Sequence, residues 1–440
     1  MEEPTQLRLA YYGDDFTGST DALEFLARAG LRTRLFLSPP TVAQCAGLDA
    51  VGVAGLTRSM APDSIEAELR PAFTALRELG APHMHYKVCS TFDSSPSIGS
   101  IGRAIDVGAD VFRARFVPLL VGAPALGRYC VFGNLFARLG IGSAGEIHRL
   151  DRHPSMSRHP VTPADESDLR RHLARQTTKK VGLMDILHVA MPEAAARSAL
   201  EDVLASSPDV VLFDALSSDQ LTTVGALLDG YASRETPLFS VGSSGIEMAL
   251  GNFWAKRDQC EPRLSWADPG AAEPLFVLSG SCSPVTADQI TRALGEGFVE
   301  VALDAAALAD GETCQLAVSD ITMQLRAGRH VIAHTSRAEV DRRVALPSDR
   351  LGSALGRIAR DVVAQTSVRR LLIAGGDSSS FAARALGIEA VEMIAPLAPG
   401  APLCRVHGPG SPIDGREVNF KGGQVGAPDY FSAVARGKRQ

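Results

Sequence analysis

A short apolar run ending in a glycine-rich turn, near the C-terminus, constrains the fold of this chain more than any other feature. Leu371-Leu372-Ile373-Ala374 is followed directly by Gly375-Gly376-Asp377-Ser378, and a second small-residue turn, Gly422-Gly423-Gln424-Val425-Gly426, lies further on. An apolar run of that length bounded by glycine predicts a buried strand. Glycine lets backbone N–H groups approach a ligand closely, and the aspartate–serine cluster then leads into a helix. Strand, turn and helix start together can hold phosphate. The pattern predicts an α/β fold and a nucleotide-using enzyme.

With 440 residues and 45% hydrophobic content, the chain is long enough to bury two cores. Its 41 glycines and 26 prolines are scattered through apolar runs and form no low-complexity tract. A formal charge of −6 gives no support for nucleic acid or an anionic membrane as the main partner, although a local basic pocket can still take a small acid. The seven cysteines are widely spaced, with no pair at metal-ligand spacing, and read as reduced thiols of a cytoplasmic protein. Met1-Glu2-Glu3-Pro4 lacks the basic and apolar regions of a signal peptide, and no run approaches a membrane span.

Short β runs alternate with amphipathic helical stretches along the first part of the chain. Strands are expected at Leu7 to Tyr12, Leu35 to Leu37, Val51 to Gly55, His85 to Val88, Val210 to Phe213 and Pro237 to Val241, with a helix over Thr20 to Ala29. That alternation predicts a largely parallel sheet. Lys256 to Pro274 is polar and aperiodic, and is read as a linker between a first domain over 1–255 and a second over 275–440. The second domain shows strands at Leu275 to Leu278, Val331 to His334 and Leu371 to Ala374, with helices from about Thr286 and over Leu351 to Val363.

Two constellations carry chemistry. Asp14-Asp15 follow the first strand and Gly13, and precede Phe16-Thr17-Gly18-Ser19-Thr20-Asp21 at a helix start. Ligands of open α/β sheets bind at such strand ends. One of two adjacent carboxylates can accept from substrate hydroxyls or act as general base. The alternative is helix capping, for which one such residue suffices. Arg58 follows another strand and Lys87 lies in a third; a bidentate arginine suits a carboxylate and a lysine is a mobile point charge. Arg128, beside Gly127, adds a further cation, and each of these could equally be a solvated surface charge. Cys89 with His83 and His85 lacks the further ligand a metal site needs, so no protein-held metal is expected. His148, His153 and His159 lie in a proline-rich stretch read as a loop. Gly242-Ser243-Ser244-Gly245 is not a serine-hydrolase elbow and is equally a helix cap.

The second constellation is three glycine/serine turns: Ser279 to Ser283, Gly375 to Ser380 and Gly422 to Gly426. Neither a G-x-x-x-x-G-K-[ST] loop nor an early G-x-G-x-x-G is present, which excludes a standard P-loop and disfavours a dinucleotide oxidoreductase. Tight strand–helix packing would also use glycine, but three such turns in one domain favour nucleotide. The expected protein is bilobed, with an acid-binding lobe, an ATP-binding lobe and a cleft between them. Mg²⁺ is expected with the nucleotide phosphates, and Asp377 is a candidate contact to it, directly or through water.

These residues resemble the four-carbon acid sugar kinase family over nearly the whole chain. The carrying motifs are DDFTG at Asp14 to Gly18, TRS at Thr57 to Ser59, the Gly242 to Gly245 turn, GSCSPVT at Gly280 to Thr286 and GGDSSS at Gly375 to Ser380. The ending KGGQVGAPDYF at Lys421 to Phe431 is similar to the family's KSGNFG-x-x-DFF. The resemblance implies an ATP-dependent kinase acting on the terminal hydroxyl of a threonate-, erythronate- or 3-oxo-tetronate-like acid. It implies sugar-acid contacts at Asp14, Arg58 and Lys87, with Thr17, Ser90, Thr91 and Arg128 beside them, and catalysis by Asp14 or Asp15. Nucleotide contacts are implied at Ser279, Ser281, Gly375, Gly376, Asp377, Ser378, Gly422 and Gly423. Where many members read KIDSTLRGN, this chain has Lys87-Val88-Cys89-Ser90-Thr91-Phe92-Asp93-Ser94-Ser95, followed by a Ser95-Pro96-Ser97 segment that reshapes the loop. That departure makes a branched acid such as 3-oxo-isoapionate the alternative acceptor. A non-catalytic nucleotide- or metabolite-binding protein is the alternative from another class, and the chain is compatible with a homo-oligomer.

Overall fold

The computed structural model describes residues 7–140, 145–159, 161–310, 315–337 and 348–439. The stretch Met1 to Pro4, read above for a signal peptide, lies outside them. Among the described residues no helix is long and apolar enough to cross a membrane.

The strands run in chain order as β1 (Leu9–Gly13), β2 (Thr33–Phe36), β3 (Ala50–Ala54), β4 (His83–Lys87), β5 (Val117–Leu120), β6 (Arg128–Val131), β7 (Asn134–Arg138), β8 (Ile147–Arg149) and β9 (Val181–Met184). They continue as β10 (Val210–Phe213), β11 (Leu238–Gly242), β12 (Leu275–Ser279), β13 (Val299–Ala302), β14 (Val331–His334), β15 (Arg370–Ala374), β16 (Ala390–Ala398), β17 (Ala401–His407) and β18 (Glu417–Lys421).

The chain forms two compact α/β units, as the alternation of elements predicts. One comprises Met1–Asp14, Phe25–Thr33 and Ser38–Leu264; the other comprises Asp15–Glu24, Arg34–Leu37 and Ser265–Gln440. The second unit therefore takes two short segments from the N-terminal region.

In the first unit the strands lie in the order β3-β1-β4-β11-β5-β10-β9, all parallel. Strands covered on both faces should read as continuous apolar runs, and β1, β3, β4, β10 and β11 are buried throughout. The covering helices follow their apolar stripes. The helix Pro62–Glu78 has proline in its first turn and buries Ile65, Leu69, Ala72, Phe73 and Leu76. The helix Ser218–Asp229 starts from a capping box made by Ser217 and Gln220. A small antiparallel sheet, β6-β7-β8, lies outside the main one.

In the second unit the order is β13-β14-β12-β15-β18-β17-β16-β2. The strands from β13 to β18 in that order are parallel, whereas β17, β16 and β2 add on antiparallel. The β16–β17 pair lies outside the sequence reading. Its alternation is broken around Pro396, where the pairing register shifts between Ala395 and Ala398; a residue without an N–H is accommodated at such an irregularity.

Candidate functional site

Parallel strands in register bring their C-terminal ends to one level, and each unit uses that edge. In the first unit Ala54, Gly13, Lys87 and Gly242 form one row across β3, β1, β4 and β11. The residues that follow them are the predicted ones. The Asp14 N–H donates to the Lys87 carbonyl at 2.8 Å, and the Arg58 N–H donates to the Asp14 carbonyl at 3.0 Å. The Arg58 guanidinium closes on the Asp14 carboxylate as a fork, Nε to Oδ2 at 3.2 Å and Nη2 to Oδ1 at 2.8 Å. Asp14 is buried, while the Arg58 side chain is 24% exposed, so the pair sits at the surface end of the sheet with its arginine outward. The structure thus joins two residues 44 positions apart.

Lys87 is buried and its ammonium donates to the Val88 carbonyl at 3.0 Å. Behind it the buried His85 and Glu247 meet, Nδ1 to Oε1 at 2.6 Å, with Nε2 at 3.2 Å from the Gly242 carbonyl. Both ring nitrogens thus face oxygen, and Glu247 lies in the first turn of the helix Gly245–Lys256. In the loop after β4 the Thr91 hydroxyl donates to Asp93 Oδ1 at 2.9 Å. Its oxygen lies 2.9 Å from Cys89 Sγ, so the thiol is the donor there. Burial, and secondarily the Asp93 charge, pushes the Cys89 thiol up to about 11, which removes it as a nucleophile near neutrality. Ser90 is buried in the same loop, and Phe92 takes a left-handed φ of 57°. Ser95 closes the Ser-Pro-Ser segment by accepting from the Ile98 N–H at 3.0 Å.

Arg128 is also buried, but its Nη1 donates to the carbonyls of Leu126, Gly127 and Arg138 at 3.1, 3.3 and 3.1 Å. Those bonds fix the β6–β7 hairpin. His153 and His159 accept backbone N–H bonds in local turns. In the Gly242 turn, Ser243 Oγ donates to the Val121 carbonyl and accepts from the Gly245 N–H, tying β5 to the helix start.

Asp15 begins the second unit's first segment and caps the helix Phe16–Arg28. Its Oδ1 accepts from the Gly18 N–H at 2.8 Å and its Oδ2 from the Thr17 hydroxyl at 2.7 Å. The adjacent carboxylates are therefore differently engaged, Asp14 by an arginine and Asp15 by its own helix.

The three glycine/serine turns follow three neighbouring parallel strands. Ser279, Ala374 and Lys421 stand in one row across β12, β15 and β18. The turns that leave this row touch one another. Gly375 has φ +152°, and a Cβ there would lie 2.5 Å from Ser378 Oγ. A Cβ on Gly423 would lie 2.9 Å from Ser283 Cβ and 3.1 Å from Ser281 Oγ. Gly376 faces open space, Asp377 opens the helix Asp377–Leu386, and a Cβ on Gly422 would lie 3.5 Å from Val425 Cγ2. Ser279 Oγ accepts from the Ser281 N–H at 3.4 Å, and Ser281 Oγ donates to Thr286 Oγ1 at 3.1 Å. Among the described residues the buried Ser283 hydroxyl has no hydrogen-bond partner.

Lys421 opens the closing motif but is given no site role from the sequence, although its position just before a Gly-Gly turn is a signal for one. It is wholly buried at the end of β18, and its ammonium donates to Thr286 Oγ1 at 3.0 Å and to the carbonyls of Gly422 and Gly423 at 3.0 and 3.3 Å. Burial brings the Lys421 ammonium down to about 7.

The contact at Gly423 gives a direct test of the cradle. If these turns hold the nucleotide that the sequence pattern predicts, Gly423→Ala, which forces the two turns apart by a few tenths of an ångström, should raise its KM about 3- to 10-fold with little change in the unfolding midpoint. Steady-state kinetics and calorimetry on the same preparation check both halves.

Residues 9–250 match a family of sugar-binding N-terminal domains, and residues 276–431 match a family of nucleotide-binding C-terminal domains. The chain is 40% identical to a 3-oxo-isoapionate kinase of Paraburkholderia graminis, covering 99% of this chain and 95% of that one. It is 33% identical to a 3-oxo-tetronate kinase of Methylobacterium radiotolerans, covering 97% and 98%. A crystal structure from Salmonella typhimurium LT2, described as a putative tRNA synthase, matches with a TM-score of 0.78 at 25% identity over 98% of both chains. The row of sugar-acid candidates in one unit and the glycine/serine cradle in the other fall within the two matched regions. The chain belongs to the four-carbon acid sugar kinase family and is an ATP-dependent phosphotransferase acting on a small sugar acid.

Proposed function

We propose that the acceptor is a branched, oxidised sugar acid, 3-oxo-isoapionate, phosphorylated on its terminal hydroxyl. The observation that carries this choice is the 40% identity to the 3-oxo-isoapionate kinase, against 33% and 31% for two of the 3-oxo-tetronate kinases. The resemblance read from motifs puts a linear four-carbon acid first; the identities favour the branched one. The Cys89–Thr91–Asp93 chain supports that preference, because it presents a loop of distinct polarity beside the sugar-acid row.

In this reading Arg58 and Lys87 attract the acid carboxylate, and Ser90 and Thr91 shape the loop around it. Asp14 takes the proton from the attacking hydroxyl, held in orientation by the Arg58 fork. Asp15 and Thr17 set the start of the helix behind it. Arg128 acts on the site through the hairpin it fixes.

Ser279, Ser281, Gly375 to Ser378 and Gly422-Gly423 hold the nucleotide. The close-packed turns and the partnerless Ser283 hydroxyl fit an anionic ligand with many acceptor oxygens. Bound with Mg²⁺ on its phosphates, ATP supplies the phosphoryl group. A cytoplasmic setting is consistent with a substrate set of ATP and a small metabolite.

The test is a Mg-ATP turnover screen against linear, keto and branched four- and five-carbon acids, following ADP and identifying products by mass. The expected result is a kcat/KM for 3-oxo-isoapionate at least about tenfold above that for 3-oxo-tetronate. A preference for 3-oxo-tetronate would overturn the assignment of the acceptor. Nucleotide binding with no phosphorylated product from any acid would favour a non-catalytic binding protein.

A further inference from the structure

We propose that Lys421 is a positioning residue that clamps the Ser279–Ser283 and Gly422–Gly426 turns together and takes its counter-charge from the nucleotide phosphates. The inference rests on the reading of these turns as the ATP site. Its basis is geometric. One ammonium donates directly to the carbonyls of Gly422 and Gly423 and, in the other direction, to Thr286 Oγ1 in the helix that follows the Ser279–Ser283 turn. Thr286 itself accepts from Ser281 and donates to the Gly423 carbonyl at 3.0 Å, so a single small network spans the contact. Every acceptor of Lys421 is a neutral oxygen. Among the described residues no carboxylate forms an ion pair with it.

Among the described residues no carboxylate pairs with the ammonium from the elements around it. Tyr430 faces it, with its ring centroid 6.0 Å away and its hydroxyl donating to Asn419; the buried Glu24 of the helix Phe16–Arg28, whose charge reaches Tyr430, accepts from the Gly400 N–H. Burial raises the Tyr430 phenol, keeping it neutral near neutrality. On the helix Pro284–Gly295, Asp288 and Arg292 are exposed. On neighbouring β15, Arg370 lies at the far end and pairs with Glu417, and on β17 Arg405 is exposed. A buried cation beside a phosphate cradle is thus left for the ligand to neutralise.

Burial alone holds Lys421 at about 7, so without nucleotide it is largely neutral at pH 8.5. An adjacent polyanion favours the charged form and raises this value. Binding then takes up a proton at pH values above about 7, and affinity falls as the pH rises through that range. Below about 7 the ammonium is already charged, and uptake vanishes.

The experiment is isothermal titration of the full chain with the magnesium complex of a non-hydrolysable ATP analogue, in buffers of different ionisation enthalpy. The expected uptake is about 0.5–1 proton at pH 8.5 and close to none at pH 6. Lys421→Met should weaken binding about tenfold or more and abolish the uptake. Lys421→Arg, permanently charged, should bind without uptake. Unaltered uptake in either variant, or wild-type binding with no uptake at pH 8.5, overturns the role of Lys421 while leaving the nucleotide site standing. Complete failure of the wild type to bind the analogue overturns the site reading and the proposal together.

Discussion

Replacing Asp14 by asparagine is expected to lower kcat roughly 100- to 10,000-fold while nucleotide binding survives. The exchange keeps the shape of the side chain and one acceptor oxygen for Arg58, but removes the charge and the ability to take a proton. Asp14 leaves β1 in the row proposed to hold the sugar acid, whereas the turns proposed to hold the nucleotide leave β12, β15 and β18 in the other unit. The two losses should therefore separate. Steady-state kinetics report the first and calorimetric titration with nucleotide the second. An unchanged kcat would remove Asp14 as the base, and loss of nucleotide binding by a folded variant would contradict the division of labour between the units. The neighbouring carboxylate gives the contrast. Asp15 accepts from Thr17 and Gly18 in its own helix, so the same exchange there falls first on stability, by about 0.5–2 kcal/mol.

The largest effect on stability is expected at the opposite end of the nucleotide unit's strands. Arg370, at the start of β15, is fully buried, and its Nε donates to Glu417 Oε2 at 2.7 Å. Its Nη1 donates to the Val434 carbonyl at 2.6 Å and its Nη2 to the Gly270 carbonyl at 3.0 Å. Burial lowers the Arg370 guanidinium from its ordinary value, and its hydrogen bond to Glu417 opposes that shift. Glu417→Gln leaves a buried cation without its counter-charge, which typically costs about 3–5 kcal/mol. The unfolding midpoint of that unit should fall by roughly 6–15 °C. The turns lie at the other end of the same strands, so KM for ATP measured well below the transition should change little. A midpoint within about 2 °C of wild type would show that the carbonyl partners alone suffice to hold the arginine.

The parts of this molecule legible in the sequence are those written in short local patterns. A run such as Leu371 to Ala374 ending at Gly375 can be little other than a buried strand followed by a tight turn, and β15 bears that out. The same holds for β10 and β14, whose observed limits match the apolar runs. The two α/β domains and the kinase family follow from these patterns together with the motifs. What depends on distant partners was not legible. Nothing near Asp14 announces that Arg58 will close on it, because that pairing depends on β1 and β3 lying side by side. Arg128 reads as one more cation near a strand, and only the hairpin shows which carbonyls take its Nη1 hydrogens. Lys421 escaped for the opposite reason: lysine is seldom buried, so its position beneath a turn appears only once Thr286 is brought beside it.

The interleaving of the chain between its two units bears on how the protein is born. Thr20 donates to the carbonyl of Gly400, 380 residues downstream, and β2 pairs with β16. Phe16 lies 4.3 Å, centroid to centroid, from Phe420. A ribosome thus releases the first helix long before its permanent neighbours have been made, while β1 and β3 on either side of it can already pair. Ala22 and Leu23, wholly buried in the finished molecule, face water or a chaperone for nearly the whole of translation. The second unit closes last, and it does so around a piece of chain that was among the first to emerge.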